Sequence, residues 1–311
     1  MTIQTLLIPT DGSDAAERAA RRGFDLAEAF DAAVYVLSVA DSSIATGAGY
    51  SGDSASIRNR LREQATVRAE SLREEAADRG LDATAAIREG IPAEEIIDYA
   101  DEHELDAIVI GTSGRGGVVR AIIGSVADKV VRTASVPVVT ITPEATRAGR
   151  TASIGSLLVP TDGSETAMKA VERSLELAEQ VGATLHLLSV VDDDLASALA
   201  AVTEDGSDPS SGLRKRSTGS LDALAADARS RGLEVVTATT SGTPADEIVD
   251  YAETNGVDAI VMGTHGRGGF ERLLIGSVTD SVVRTATIPV CTVRPSGVET
   301  HTSALEDDEQ N

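Results

Sequence analysis

Short apolar runs alternate along the chain with longer stretches in which apolar residues return every three to four positions. The runs predict strands and the periodic stretches predict amphipathic helices. In the first half the strands fall at Ile3–Ile8, Ala33–Val39, Ala83–Arg88, Asp106–Ile110 and Val136–Ile141. Between them, helices are expected from Ser13 to about Phe30, from about Ile57 to Arg79, from Pro92 to His103 and over Ser125–Thr133, with Ser13 a candidate cap and Pro92 in a first turn. The second half repeats the order, with strands near Ile154–Val159, Ala183–Val190, Leu233–Thr239, Asp258–Met262 and Ile288–Val293.

Strict alternation of strand and helix argues for an α/β fold: doubly wound parallel sheets with helices on both faces. Ala33-Val-Tyr-Val-Leu-Ser-Val39 is continuously apolar or β-branched, as expected of a strand covered on both sides. The third strand, Ala83–Arg88, reads as nearer an edge. Ser42–Arg79 reads as long and helical, whereas the corresponding Asp192–Gly219 reads as acidic and then Ser/Gly-rich, a divergence that allows the two halves to differ in affinity for a ligand.

The two halves also share words. Leu-Leu-Ile-Pro-Thr-Asp-Gly-Ser at Leu6–Ser13 returns as Leu-Leu-Val-Pro-Thr-Asp-Gly-Ser at Leu157–Ser164, an offset of 151 residues. Gly90–Ala100 returns as Gly242–Ala252 at an offset of 152, so insertions nearly cancel. A period this long means tandem domains rather than a solenoid of short repeats. We expect domains at 1–143 and 153–295, a linker at 144–152 and an acidic, disordered tail at 296–311.

The most informative repeat is Gly-x2-Gly-x9-Gly-Ser. It occurs as Gly111, Gly114, Gly124, Ser125 and again as Gly263, Gly266, Gly276, Ser277, each time after a fourth strand. Glycines let a chain turn sharply and let a ligand approach the backbone, and the helix opened by Gly124-Ser125 offers bare N–H groups to phosphate oxygens. Arg115 and Arg120, with Arg267 and Arg272, can add charge-assisted contacts. The loop is neither a Walker A motif, since no lysine precedes Ser125, nor a dinucleotide fingerprint, which needs tight G-x-G-x-x-G spacing after a first strand. A second reading stays open: glycines that only make a tight turn, with solvated arginines. Asp11 and Asp162 close the first strands and either accept a ribose or base hydrogen bond or cap the following helix. Thr10, Ser13, Thr161 and Ser164 suit caps and turns better than nucleophiles.

Composition removes several classes of function. Lys plus Arg is 27 against 50 Asp plus Glu, a formal charge of −23, which repels nucleic-acid backbones. Only Lys129, Lys169 and Lys215 are lysines; acid excess, scarce lysine and 2% aromatics point to adaptation to high salt. The other reading is an ordinary acidic protein from a GC-rich genome. The single cysteine, Cys291, excludes an internal disulfide and sits in an apolar run as a small core residue. No run is long enough to span a bilayer and no leader precedes the first strand, so a soluble, cytoplasmic protein without membrane association is expected. His103, His186, His265 and His301 lie in unrelated contexts, without metal-ligand spacing, and His186 reads as a structural strand histidine. No catalytic constellation is visible.

Pro-Thr-Asp-Gly-Ser near the start of each half, paired with Gly-x2-Gly-x9-Gly-Ser before its last helix, resembles the nucleotide-binding branch of the universal stress protein family, in its tandem two-domain form. The resemblance implies a Rossmann-like, five-stranded parallel sheet of order 3-2-1-4-5 in each half, with an adenine nucleotide (ATP, or AMP or ADP, with or without magnesium) at the strand ends. It implies a first site of Pro9, Thr10, Asp11, Val39, Gly111, Gly114, Arg115, Gly124, Ser125 and Val126. The second would be Pro160, Thr161, Asp162, Val190, Gly263, Gly266, Arg267, Gly276, Ser277 and Val278. Asp11 and Asp162 would meet adenosine, Val39 and Val190 the base through backbone groups, and the glycine motif the ribose and phosphates. Ser113 in one loop stands where His265 stands in the other, so a histidine there is not essential to both. The resemblance also implies pairing of the last strands, Val136–Ile141 with Ile288–Val293 within one chain, or a homodimer. Function is then read as a stress-response module that senses or buffers ATP; the alternatives are an interaction protein of the same fold that binds no nucleotide, and a slow ATPase.

Overall fold

The computed structural model describes residues 2–41, 54–112, 123–145, 153–194, 197–198, 209–265 and 275–294. The first half runs β1 (Thr5–Thr10), α1 (Asp14–Phe30), β2 (Ala33–Asp41), α2 (Ser54–Asp78), β3 (Ala83–Gly90), α3 (Pro92–Glu102), β4 (Ala107–Gly111), α4 (Ser125–Thr133) and β5 (Val138–Ile141). The second runs β6 (Ser156–Pro160), α5 (Glu165–Val181), β7 (Thr184–Asp192), α6 (Pro209–Ser230), β8 (Val235–Gly242), α7 (Pro244–Asn255), β9 (Ala259–Gly263), α8 (Ser277–Thr285) and β10 (Val290–Val293).

These strands form one sheet of ten in the order β3-β2-β1-β4-β5-β10-β9-β6-β7-β8. Pairing is parallel within each half and antiparallel only between β5 and β10, where Cys291 lies opposite Val139. The fold is therefore α/β with a mostly parallel sheet, and its third strands, β3 and β8, stand at the two outer edges.

Side chains leave a strand on alternate faces, and the central strands bury both. Leu6 and Ile8 join a layer with Phe24, Ala27 and Leu72 from α1 and α2, while Leu7 joins the opposite layer with Ile96 and Val130 from α3 and α4. The edge strands are only half-buried, and their sequences carry more polar residues than the central strands. Both layers run on into the second half. Gln180 on α5 ties the halves further: its Oε1 accepts from the Ile3 N–H at 2.9 Å, and its Nε2 donates to the carbonyls of Ile3 and Phe30.

At the seam, the Thr140 hydroxyl donates to the Val290 carbonyl and the Thr292 hydroxyl to the Val138 carbonyl, both at 3.2 Å. Thr142 donates to Ala286 at 2.7 Å. On the adjoining helices Arg132 pairs with Asp128 and Arg284 with Asp280, while Arg132 Nη2 also reaches Asp280 at 3.8 Å.

Several expected boundaries shift, each for a local reason. β1 begins at Thr5, not Ile3, and extends to Thr10 because Thr10 still pairs with Ser38 of β2. β4 and β9 begin one residue late, and Asp106 and Asp258, just before them, bind the neighbouring strand through their carboxylates. Oδ2 of Asp106 accepts from the N–H groups of Gln4 and Thr5 and from the Thr5 hydroxyl, and Oδ2 of Asp258 treats Gly155 and Ser156 the same way. β5 and β10 start after Pro137 and Pro289, which lack an N–H but whose carbonyls accept from Ile108 and Ile260. The largest correction concerns Asp192–Gly219: its Ser/Gly-rich end is helical, since α6 begins at Pro209, and the two halves differ less there than the sequence led us to expect.

Candidate functional site

The site is built where β1 and β4 part. β1 pairs with β2 over all six of its residues but with β4 only at Leu6 and Leu7. β6 likewise meets β9 only at Leu157 and Leu158. Proline supplies the cause. The Ala33 N–H bonds to the Gln4 carbonyl, so Gln4, Leu6, Ile8 and Thr10 turn their backbone groups toward β2, and Leu7 and Pro9 turn theirs toward β4. Pro9 has no donor to give, and Pro160 occupies the same place in the second half, where Thr184 N–H bonds to the Gly155 carbonyl. The ladder stops at the carboxyl ends of the strands where the strand order reverses, the place where doubly wound sheets take their ligands.

The β1–α1 turn forms one wall. The Thr10 hydroxyl accepts from the Gly12 N–H at 3.1 Å, Asp11 Oδ1 accepts from the Ser13 N–H at 3.0 Å, and the Ser13 hydroxyl caps α1 by accepting from Ala16 at 3.2 Å. Thr161, Asp162 and Ser164 repeat all three bonds at 3.2, 2.9 and 3.3 Å. Gly12 and Gly163 turn with φ of +74° and +75°, a region that L side chains rarely adopt. Thr10, Ser13, Thr161 and Ser164 are thus turn and cap residues, and Asp11 and Asp162 shape the turn rather than capping the helix themselves. From β2, buried Ser38 donates to the Thr10 carbonyl at 3.1 Å, and Val39 follows it, half-buried, at the same edge; Val190 holds that place on β7.

The opposite wall is the end of the glycine loop. Gly111 closes β4, Thr112 donates its N–H to the Ile141 carbonyl at 3.0 Å, and the Gly124 N–H returns to the Thr112 carbonyl at 2.7 Å, bringing the two ends of the loop together. Gly276 returns to Thr264 at 2.8 Å in the second half. Gly124 and Gly276 occupy the cap positions of α4 and α8 and have no side chain with which to satisfy the first-turn N–H groups. Ser125 and Ser277 are exposed on that first turn, with Val126 and Val278 half-buried beside them. Gly263 has a packing role as well: a Cβ there would stand 2.7 to 3.0 Å from the side chain and backbone of Thr166 on α5. The second loop holds one further tie, the Thr279 hydroxyl donating to the Gly263 carbonyl at 2.8 Å, where the first half has Ala127.

Gly114, Arg115, Arg120, Gly266, Arg267 and Arg272 lie outside the described residues. The remaining predicted residues gather at the carboxyl edge of each half. Because β5 and β10 are antiparallel, the carboxyl ends of the two halves point to opposite edges of the sheet. One neighbour was not anticipated. The side chain of Arg68, from α2, lies across Gly12, where a Cβ would come within 2.6 Å of Cδ and 2.7 Å of Nε. Its Nη2 donates to Gln64 Oε1 at 3.3 Å. A helix position 35 residues beyond the second strand's start carries no sequence signal that it meets the first turn.

Among the described residues there is no group of His, Cys, Asp and Glu suited to hold a metal, and no helix is long and apolar enough to cross a membrane. Cys291 is buried at the seam, and burial pushes its thiol up to about 12, so it is no nucleophile. His186 stands edge-on to Tyr251 and its Nδ1 is 3.1 Å from the tyrosine oxygen, a structural pair.

A mostly parallel α/β sheet whose strand order reverses between β1 and β4 and again between β6 and β9 defines a doubly wound protein. The chain belongs to the universal stress protein family, whose model matches residues 2–142 and 154–294. A universal stress protein of Methanocaldococcus jannaschii is 35% identical over 136 residues, 44% of this chain and 80% of that protein. The solved structure of a universal stress protein from Archaeoglobus fulgidus covers 94% of this chain and 98% of its own with a TM-score of 0.72 at 23% identity, a likeness of fold. A universal stress protein solved in complex with cAMP is 24% identical over 45% of this chain and 98% of its own, with a TM-score of 0.34.

Proposed function

We propose that each half, 1–143 and 153–295, binds one adenine nucleotide in the crevice between its parted strands, and that the chain acts in the stress response as a nucleotide-dependent sensor or interaction module. The observation that carries this reading is the parting of β1 from β4 and of β6 from β9 after two paired residues, beside helices whose first turns have no side-chain cap. Bare N–H groups at a helix N-terminus, reinforced by its dipole, suit phosphate oxygens. Asp11 or Asp162 takes the ribose, and backbone groups at Val39 or Val190 take the base. Gly111, Gly114, Arg115, Gly124, Ser125 and Val126 line the ribose and phosphates in the first half, and Gly263, Gly266, Arg267, Gly276, Ser277 and Val278 in the second. A bound nucleotide supplies charge and shape to be sensed, and magnesium, where present, rides on its phosphates.

The two halves work as an intrachain pair through β5 and β10. The reading places the protein in the cytoplasm, where adenine nucleotides are abundant, and its charge of −23 fits a salt-rich interior. Calorimetric titration with ATP, AMP and cyclic AMP tests the proposal. Wild type should bind and the Gly114→Val, Gly266→Val double variant should bind far more weakly; absence of heat with all three ligands on wild type sinks it.

A further inference from the structure

We propose that Arg68 is a ligand-contacting residue of the first site and makes the two sites unequal, the first holding phosphate-bearing adenine nucleotides more tightly than the second. This rests on the nucleotide reading of the crevice. The turns themselves are alike: Gly12 and Gly163 share the same φ, and the same three hydrogen bonds hold each. Over the first turn lies an arginine of α2. The half-buried Arg68 stem rests on Gly12, with its guanidinium steadied by Gln64 one turn earlier on α2.

The helices can be aligned from their own bonds. The Thr66 hydroxyl donates to the Arg62 carbonyl at 3.0 Å, and the Thr218 hydroxyl to the Arg214 carbonyl at 3.0 Å, fixing an offset of 152 residues. At that offset Arg68 corresponds to Ser220, which is exposed, and Gln64 corresponds to the exposed Arg216. The second half therefore has no arginine at the position that overlies Gly12 in the first. In a chain of charge −23, an anion is repelled by the overall field and depends on local cations, and a guanidinium beside the turn that holds Asp11 places a positive charge where a serine places none.

Titration of the full chain with ADP and, separately, with adenosine decides the matter. Wild type should show two classes of ADP site separated by roughly ten- to a hundredfold, the worth of a hydrogen bond between charged groups. Arg68→Ser should merge them at the weaker value, while adenosine binding stays unchanged because it has no phosphate to lose. Ser220→Arg, at an exposed helix position, should tighten the weaker class toward the stronger. Two equal ADP sites in wild type, unchanged classes in Arg68→Ser, or equal weakening of ADP and adenosine would overturn the inference while leaving nucleotide binding intact. No binding of either ligand by wild type overturns both.

Discussion

Thr140 and Thr292 occupy equivalent places on the two central strands, and each hydroxyl donates across the seam to a carbonyl of the other half. Both are buried to about the same degree, 0% and 1% exposed, so water does not replace either bond if it is lost. Thr140→Val and Thr292→Val should each cost about 1 kcal/mol, the net worth of one hydrogen bond. Urea denaturation of the single variants reads this directly, and a null effect in both would mean that these two hydroxyls do not help to hold the seam.

Asp106 and Asp258 bind the start of the first strand of each half through one carboxylate oxygen and three donors. Asp106→Ala should lower stability by roughly 2 kcal/mol, since hydrogen bonds to a charged acceptor exceed neutral ones but this one is only part-buried. Asp258→Ala should match it within error. The comparison, made by thermal or urea unfolding, tests whether the duplicated staple does equal duty in both halves.

Gly263 belongs to the glycine motif, yet its lack of a side chain is already required by the approach of Thr166. Gly263→Ala should destabilise the protein by roughly 1–3 kcal/mol, the usual range for overpacking, through displacement of α5. Wild-type stability in this variant would show that α5 yields to the added methyl group without cost.

Burial pushes the His186 imidazole below the usual histidine value. The unfolded chain then takes up the proton first, so the stability tied to neutral His186 is present above about pH 6.5 and drains away as the pH falls toward the folded value. His186→Phe should flatten the dependence of the urea midpoint on pH between 5 and 7. An unaltered slope would show that other groups govern the acid limb.

Much of the architecture could be read from the chain because its information is local. The apolar runs of β1, β4, β6 and β9 are buried on both faces, so periodicity alone marked them. Boundaries were displaced where a side chain or a proline settles a question of hydrogen bonding, as at Asp106, Pro137 and Pro289. α6 was under-read because Ser and Gly lower helix propensity, while Leu221, Ala225 and Ala228 bury one face against the sheet and override it. Of the site, the turn residues were legible because they are neighbours in sequence. Arg68 was not, since its place over Gly12 depends on how α2 crosses the strands. Pro9 and Pro160, expected at the site by resemblance, leave β1 and β6 without a donor on the side facing β4 or β9.

The β5–β10 pairing limits the valence of the molecule. Each five-stranded half standing alone would carry a bonding edge at its last strand, ready to add a copy of itself. Within this chain those two edges satisfy each other, and the sheet edges that remain unpaired among the described residues are β3 and β8.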